Sequence, residues 1–174
     1  PDWAPGERLF CDGWSGATPA GWRIDGQSTL LKMVWEGPWP APTADGATPV
    51  RLGAVHMPMA TQLATFAGLA PFGPRSIELG EMLGVFDGVQ LVAMAGERMQ
   101  AQGLREVSGV CTHPAHRGRG HARRLVLALL RQQLRRRQTP FLHVRSDNDA
   151  AVRLYTQMGF RARCETVARV ITRL

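Results

Sequence analysis

Apolar positions along this chain recur in segments short enough to read one at a time. Trp22–Trp35 (WRIDGQSTLLKMVW) has no helical period and reads as extended chain, with an Asp25-Gly26 turn available inside it. Val50–Leu52 fits a short strand. His56–Leu69 reads as a helix with Met57, Leu63 and Phe66 among its apolar positions, and Pro71, Gly73 and Pro74 end it. Met82–Phe86 and Val89–Glu97 are apolar runs joined by Asp87-Gly88, a dipeptide that suits the positive φ angles of a tight hairpin. Valine-rich Leu104–Thr112 predicts another strand. Gly118–Arg137 is a long amphipathic helix with Leu125, Val126, Leu129, Leu130 and Leu134 on its apolar stripe. Phe141–Val144 is a short buried strand. Asp147 or Asn148 caps a helix running to about Met158, Gly159 stops it, and Phe160–Val170 closes the sheet. This order predicts an α/β fold, a mixed central sheet flanked by helices.

Between these segments, residues 37–49 hold four prolines and two glycines. The stretch 41–49 is therefore expected to be a linker, 50–174 the main domain, and 1–40 an appendage or the remnant of an upstream region. A length of 174 residues suits one such domain, and 44% hydrophobic residues can supply its core. Charged residues are only 20%, against disorder, and no apolar run reaches the roughly 18 residues needed to span a membrane. The odd, widely spaced Cys11, Cys111 and Cys164 form neither a disulfide framework nor a metal motif. No secretory signal opens the chain, so a cytoplasmic setting is expected.

The formal charge of +7 is unevenly spread. Residues 1–90 carry 5 basic and 9 acidic groups, whereas residues 91–174 carry 16 basic and 5 acidic. A basic C-terminal half calls for an anionic partner, either nucleic acid or a phosphorylated ligand. All five tryptophans precede residue 40, so aromatic side chains are not interleaved with the arginines, which weakens the nucleic-acid reading.

One region is chemically sharper. In Val110-Cys111-Thr112-His113-Pro114-Ala115-His116-Arg117-Gly118-Arg119-Gly120-His121-Ala122 a strand runs through a proline turn into a glycine-rich helix start. Helix N-termini present unpaired N–H groups and positive potential. Gly118 and Gly120 let a ligand approach the backbone, and Arg117 and Arg119 add charged donors, a combination suited to a diphosphate. Neither the dinucleotide fingerprint nor a P-loop fits. Packing alone could also explain the glycines. A second segment, Asn148 to Phe160, places Asn148 and Tyr155 two turns apart on one side of a helix.

Together these segments resemble the GCN5-related N-acetyltransferase (GNAT) superfamily, and within it the FR47-like group. Arg117, Gly120 and Ala122 meet the superfamily's acyl-CoA motif, Gln/Arg-x-x-Gly-x-Gly/Ala; Asn148, Ala151, Leu154, Tyr155, Gly159 and Phe160 meet its later segment. The stretch LVAMAGE (residues 91–97) with Glu106–Pro114 is similar to the FR47-like group. The resemblance covers about residues 50–172. It implies the GNAT fold and transfer of an acetyl group from acetyl-CoA to an amine by direct attack, without a covalent enzyme intermediate. It further implies that backbone at Val110 and Thr112 holds the pantetheine arm and that N–H groups from Gly118, Arg119, Gly120, His121 and Ala122, with Arg117, hold the pyrophosphate. An N–H near Val110 or Cys111 would polarise the thioester oxygen. Tyr155 is the candidate general acid, Asn148 a contact to the CoA arm, and Glu106 the candidate general base, set on its strand with the parity of Ser108, Val110 and Thr112.

Other readings remain open. Glu106 could simply pair with Arg98 or Arg105; Glu97 and Glu81 are weaker candidate bases. No carboxylate accompanies His113, His116 and His121 as a metal set would require, and no base follows Cys111 as a nucleophile would. Arg135–Arg137 suits the solvated end of a helix. The acceptor, a small-molecule or peptide amine, is expected between the first helix, the loop Pro71–Arg75 and the hairpin near Asp87, with Phe72, Met82 and Phe86 as an apolar wall and Glu78 or Glu81 attracting a cation. A homodimer through the C-terminal strands or the Trp-rich start fits the pattern. The alternatives to an acetyltransferase are a CoA-binding regulatory domain and a basic nucleic-acid-binding module.

Overall fold

The computed structural model describes residues 3–41, 48–69 and 72–174. Among the described residues eight strands form one sheet: β1 (Arg8–Asp12), β2 (Trp22–Trp35), β3 (Val50–Arg51), β4 (Met82–Asp87), β5 (Gln90–Ala101), β6 (Leu104–Thr112), β7 (Thr139–Arg145) and β8 (Phe160–Arg173). Three helices accompany them: α1 (Met57–Ala67), α2 (His121–Arg135) and α3 (Asp149–Met158). The spatial order is β1-β8-β2-β7-β6-β5-β4-β3, antiparallel at every junction except the parallel pair β6–β7. Among the described residues no helix is long and apolar enough to cross a membrane.

The sheet buries both faces. Leu125, Val126, Leu129 and Leu130 of α2 and Met158 of α3 pack with Phe160, Leu142 and Val107 on one side. Met57, Ala60, Leu63 and Ala64 of α1 pack with Met94, Leu91 and Cys111 on the other. Each fully buried Leu or Phe contributes about 1.5–3 kcal/mol by leaving water. The short elements end as their residues dictate: Asn148 accepts a hydrogen bond from Ala151 N at 3.2 Å, and Gly159 closes α3 at φ 105°. A Cβ on Gly159 would lie 2.8 Å from Gly37 Cα, so glycine there serves both conformation and close approach.

The division of the chain expected at residues 40/41 is absent from the sheet. β2 lies before it yet runs between β7 and β8, and β1 pairs with β8 from Arg8↔Thr172 to Asp12↔Ala168. Residues 8–35 are thus part of the sheet rather than an appendage to it. Asp25-Gly26 makes a bulge, not a turn, so β2 continues for 14 residues. Trp35 Nε1 donates to Met158 O at 3.2 Å, tying β2 to the end of α3. The Trp-rich start packs on arginines of β8: the Arg169 guanidinium lies 4.7 Å above the Trp14 ring. Most of the expected linker, 42–47, and Pro71 lie outside the described residues.

Candidate functional site

The site begins where two parallel strands part. β6 and β7 pair at Leu104↔Thr139, Arg105↔Pro140 and Glu106↔Phe141, and not beyond. β6 nevertheless continues to Thr112 and β7 to Arg145. Backbone groups of Ser108–Thr112 on that side therefore face an opening instead of a neighbour. Gly109, at φ 63°, sits in a bulge between the pairs Gly96↔Ser108 and Met94↔Cys111, which turns the strand as it leaves β7.

β6 leads into a 3-10 turn at Pro114–His116 and then into α2. Gly118 (φ 77°) and Gly120 (φ 75°) are left-handed, and a Cβ on either would meet nothing within 4 Å. Their glycine identity thus answers the backbone path, not packing. The helix starts at His121, three residues later than the sequence pattern predicts, because Gly120 is its N-cap and no side chain caps it. Its first N–H groups are left for a ligand. A cleft of about 540 Å³ joins Val110, Cys111 and Thr112 to the turn 116–123 and to Asn148, Ala151 and Tyr155. The sequence-expected binding residues Val110, Cys111, Thr112, Arg117, Gly118, Arg119, Gly120, His121, Ala122, Asn148 and Tyr155 all line it. A splayed strand pair above uncapped N–H groups and two arginines has the length and charge to hold an extended ligand ending in a diphosphate.

Tyr155 is buried, its ring edge-on to Phe160 at 5.8 Å, and its hydroxyl makes no hydrogen bond among the described residues. Burial pushes its pKa up to about 12, so the phenol keeps its proton at neutral pH. Cys111 is buried too; burial pushes its thiol up to about 12 despite the nearby Arg117, which suits lining rather than nucleophilic attack. His113 accepts from Ala115 N at 3.3 Å and His116 lies 3.7 Å from Asp87, so both rings serve the turn.

Glu106 does not line the cleft. The Gly109 bulge reverses parity, so Glu106 shares its face with Cys111 rather than with Val110 and Thr112 as alternation predicts. It is 1% exposed, and its oxygens accept from Arg98 (2.8 and 2.9 Å), Met99 N (3.1 Å) and His143 Nδ1 (2.8 Å). Burial raises its pKa, but the hydrogen bonds from His143 and Arg98 outweigh it and hold the carboxyl below the ordinary range. Glu97 lies on the opposite face, bound by Arg105 at 2.8 Å and by Gln133 of α2 at 3.0 Å. A second cleft at the parted strands is lined by Arg98, Ser108, His143, Arg145, Asn148 and Tyr155, among others. The pairing of Glu106 with Arg98 was one of the sequence readings, whereas His143 was not singled out. The signal for His143 was a lone polar residue alternating with Leu142 and Val144 on a central strand.

A third cleft, of about 460 Å³, adjoins Gly109 and is largely apolar, with Leu69, Phe72, Met82, Glu97 and Arg98 in its wall. Of the three residues expected as an apolar acceptor wall, Phe72 and Met82 line this cleft and Phe86 does not. Phe86 instead packs edge-on to His56, Glu78 pairs with Arg75, and Glu81 lies 3.1 Å from Arg51. The charged residues lining this cleft are Glu97 and Arg98 of β5.

Residues 82–170 match the model of the FR47-like protein family. A GNAT-family protein of Novosphingobium aromaticivorans superposes with a TM-score of 0.91 at 36% identity, covering 99% of this chain and 77% of that one. N-alpha-acetyltransferase RimI of Mycobacterium tuberculosis is 45% identical over 56 residues, which are 32% of this chain and 34% of that protein; the match thus spans about a third of the curated relative. The ribosomal-protein-S18-alanine N-acetyltransferase of Escherichia coli shares the fold, with a TM-score of 0.61 at 19% identity over 72% of this chain and 92% of that one.

Proposed function

The chain belongs to the FR47-like group of the GCN5-related N-acetyltransferase superfamily, whose members use acetyl-CoA, and we propose that it moves the acetyl group from acetyl-CoA to an amine by direct attack. One observation carries this reading: the opening between β6 and β7 runs without a break onto the uncapped start of α2. The residues present fit the cosubstrate. Free backbone groups at Val110 and Thr112 match the amides of pantetheine, and N–H groups from Gly118 to Ala122 with Arg117 and Arg119 match the pyrophosphate.

Acetyl-CoA supplies the activated acyl group. The acceptor, entering from the clefts that meet at Ser108 and Gly109, brings its lone pair to the acyl carbon. A C–N bond forms as the C–S bond breaks, and the Tyr155 hydroxyl gives its proton to the departing sulfur. A backbone N–H near the Gly109 bulge lowers the charge cost on the carbonyl oxygen. The second proton lost from the amine nitrogen replaces the one Tyr155 gave. The acceptor is a small-molecule or peptide amine; the names of the relatives put free α-amino groups of peptides in the first panel to try.

Calorimetry with acetyl-CoA, then release of free thiol with short peptides and small primary amines, tests this. Uptake followed by amine-dependent thiol release is the expected result. Uptake without turnover on any amine would favour a CoA-binding regulatory domain. No uptake would remove the reading.

A further inference from the structure

The two clefts that meet at Ser108 and Gly109 share one cation, Arg98. Its guanidinium is fixed on one edge only: Nε and Nη2 donate to the buried Glu106 carboxylate at 2.9 and 2.8 Å. Nη1 makes no hydrogen bond among the described residues and is open to solvent, and the side chain is 28% exposed. A guanidinium carries five N–H donors in a rigid plane, and a carboxylate docks either on its Nε–Nη2 edge or on its Nη1–Nη2 end. Glu106 takes the edge. The end, a second fork already held in place, is unused at the junction of the clefts.

The surrounding charges do not fill that fork. Glu97 is the other charged residue of the apolar cleft, and its buried carboxylate is taken by Arg105, Arg136 and Gln133. Asp12 is engaged by Lys32, His143 and Thr166 and makes no ion pair with Arg98 among the described residues. Arg145, in the opening with Tyr155, is exposed and pairs with Asp147. Beside Arg98 the apolar cleft is lined by Leu69, Phe72, Leu79 and Met82. A Cβ on Gly109 would lie 3.9 Å from Phe72 Cε2, so that ring stands against the bulge. Three features thus diverge from one place: the opening with Tyr155, an apolar cleft, and an unfilled guanidinium fork. On an α-amino acid the amine, the side chain and the carboxylate diverge from one carbon in the same way.

Resting on the acetyl-transfer reading above, we propose that Arg98 is a carboxylate subsite of the acceptor: the fork left by Glu106 holds a carboxylate beside the reacting amine while an apolar side chain fills the cleft at Phe72, the chemistry of an apolar α-amino acid. Arg98 sets specificity and position and does not touch the reacting atoms. Glu106 is the residue that orients it. An ammonium arriving without a carboxylate meets the guanidinium unscreened, so a bare amine is both unheld and repelled.

Initial rates of thiol release with leucine, leucinamide, isopentylamine and glycine test this. For the wild-type protein kcat/KM with leucine should exceed that with leucinamide or isopentylamine by roughly 10–100-fold, the worth of a charge-assisted fork. Leucinamide lacks the carboxylate that favours the ammonium form, so more of its amine is free at neutral pH and ionisation cannot produce that preference. Arg98→Lys keeps a charge for Glu106 but has no second fork. Its leucine-to-leucinamide ratio should fall to about one while acetyl-CoA binds as to wild type in calorimetry. A purely structural Arg98 would lower both substrates together, and an unchanged ratio overturns the proposal. So does a wild type that uses leucinamide or isopentylamine as well as leucine, which leaves acetyl transfer intact. Phe72→Ala should lower kcat/KM for leucine about tenfold relative to glycine. C-terminally amidated dipeptides, leucine–aspartate against leucine–alanine, separate the source of the carboxylate: preference for the acidic one over leucine itself keeps the subsite and puts its ligand on a peptide's second residue. Should Arg98→Lys misfold, the wild-type preference still decides. Failure of the wild-type protein to bind acetyl-CoA, or to release thiol with every amine, would instead remove the reading beneath it.

Discussion

Glu106 and Phe141 are the last paired residues of β6 and β7, and the cleft starts at that pair. Above it β6 bends at Gly109, while β7 runs straight to Arg145, held by β2 from Leu30↔Arg145 to Val34↔Phe141. The pair closes the floor of the opening, and Tyr155, reaching from α3, stands in its wall.

Tyr155→Phe removes the proposed acid while keeping the ring against Phe160. The kcat should fall by roughly 10²–10⁴-fold, with little change in the KM for acetyl-CoA. Because burial lifts the phenol to about 12, the wild-type enzyme should show no alkaline limb from this group below about pH 11, a point that a kcat profile checks.

Arg117→Ala should act on binding rather than chemistry. Losing one charged donor at the pyrophosphate end should raise the KM for acetyl-CoA about tenfold, the equivalent of about 1.4 kcal/mol, with kcat near that of wild type. Gly120→Ala should do the same by straining a left-handed position at a cost of about 1–2 kcal/mol, without a steric clash.

Gly159→Ala should destabilise the fold more than Gly120→Ala. The φ of 105° is closed to alanine, and the added Cβ would strike the Gly37 backbone at 2.8 Å. A loss of roughly 2–4 kcal/mol is expected in urea unfolding.

Stability should fall in acid through Glu97 and Glu106. Both carboxyls are held below the ordinary range in the folded state: burial opposes, but hydrogen bonds from Arg105, Gln133 and the Glu81 N–H win at Glu97, as do those from His143 and Arg98 at Glu106. Their contribution is complete above the unfolded carboxyl range, near 4.3, and is lost as pH drops through the lower folded values. Glu97→Gln should flatten this slope in thermal melts between pH 5 and 3.

Cys111 should resist alkylation at pH 8, its thiol being pushed up to about 12 by burial, while exposed Cys164 reacts. Mass spectrometry after iodoacetamide treatment separates the two.

The local features of this fold could be read from the residues that make them. Gly159 ended α3, Asn148 capped it, and Asp87-Gly88 turned the β4–β5 hairpin, because each effect acts within a few positions. The glycine turn was equally readable, and all its expected lining residues meet in one cleft. Two things were not. The bulge at Gly109 changes parity by one residue, and it moved Glu106 off the face that strict alternation gives; an isolated glycine within a strand was the available sign. The partners of β1 and β2 lie on β7 and β8, more than 100 residues away, and no local period encodes such pairing. A segment ahead of a proline-rich stretch therefore looked separable when it is built into the sheet.

That placement of β2 bears on how the protein reaches its working shape. Leu30–Val34 precede both of their sheet neighbours by more than 100 residues, so β2 must wait for β7 and β8 to be made before it can pair. Closing so distant a pairing is slow. Since β7 leaves β6 above Glu106, β2 is the sole lateral support of its outer half in the sheet among the described residues. The mouth proposed to admit the thioester is thus propped open by β2, and deleting that strand should cost catalytic competence before it costs the hairpin and helices downstream.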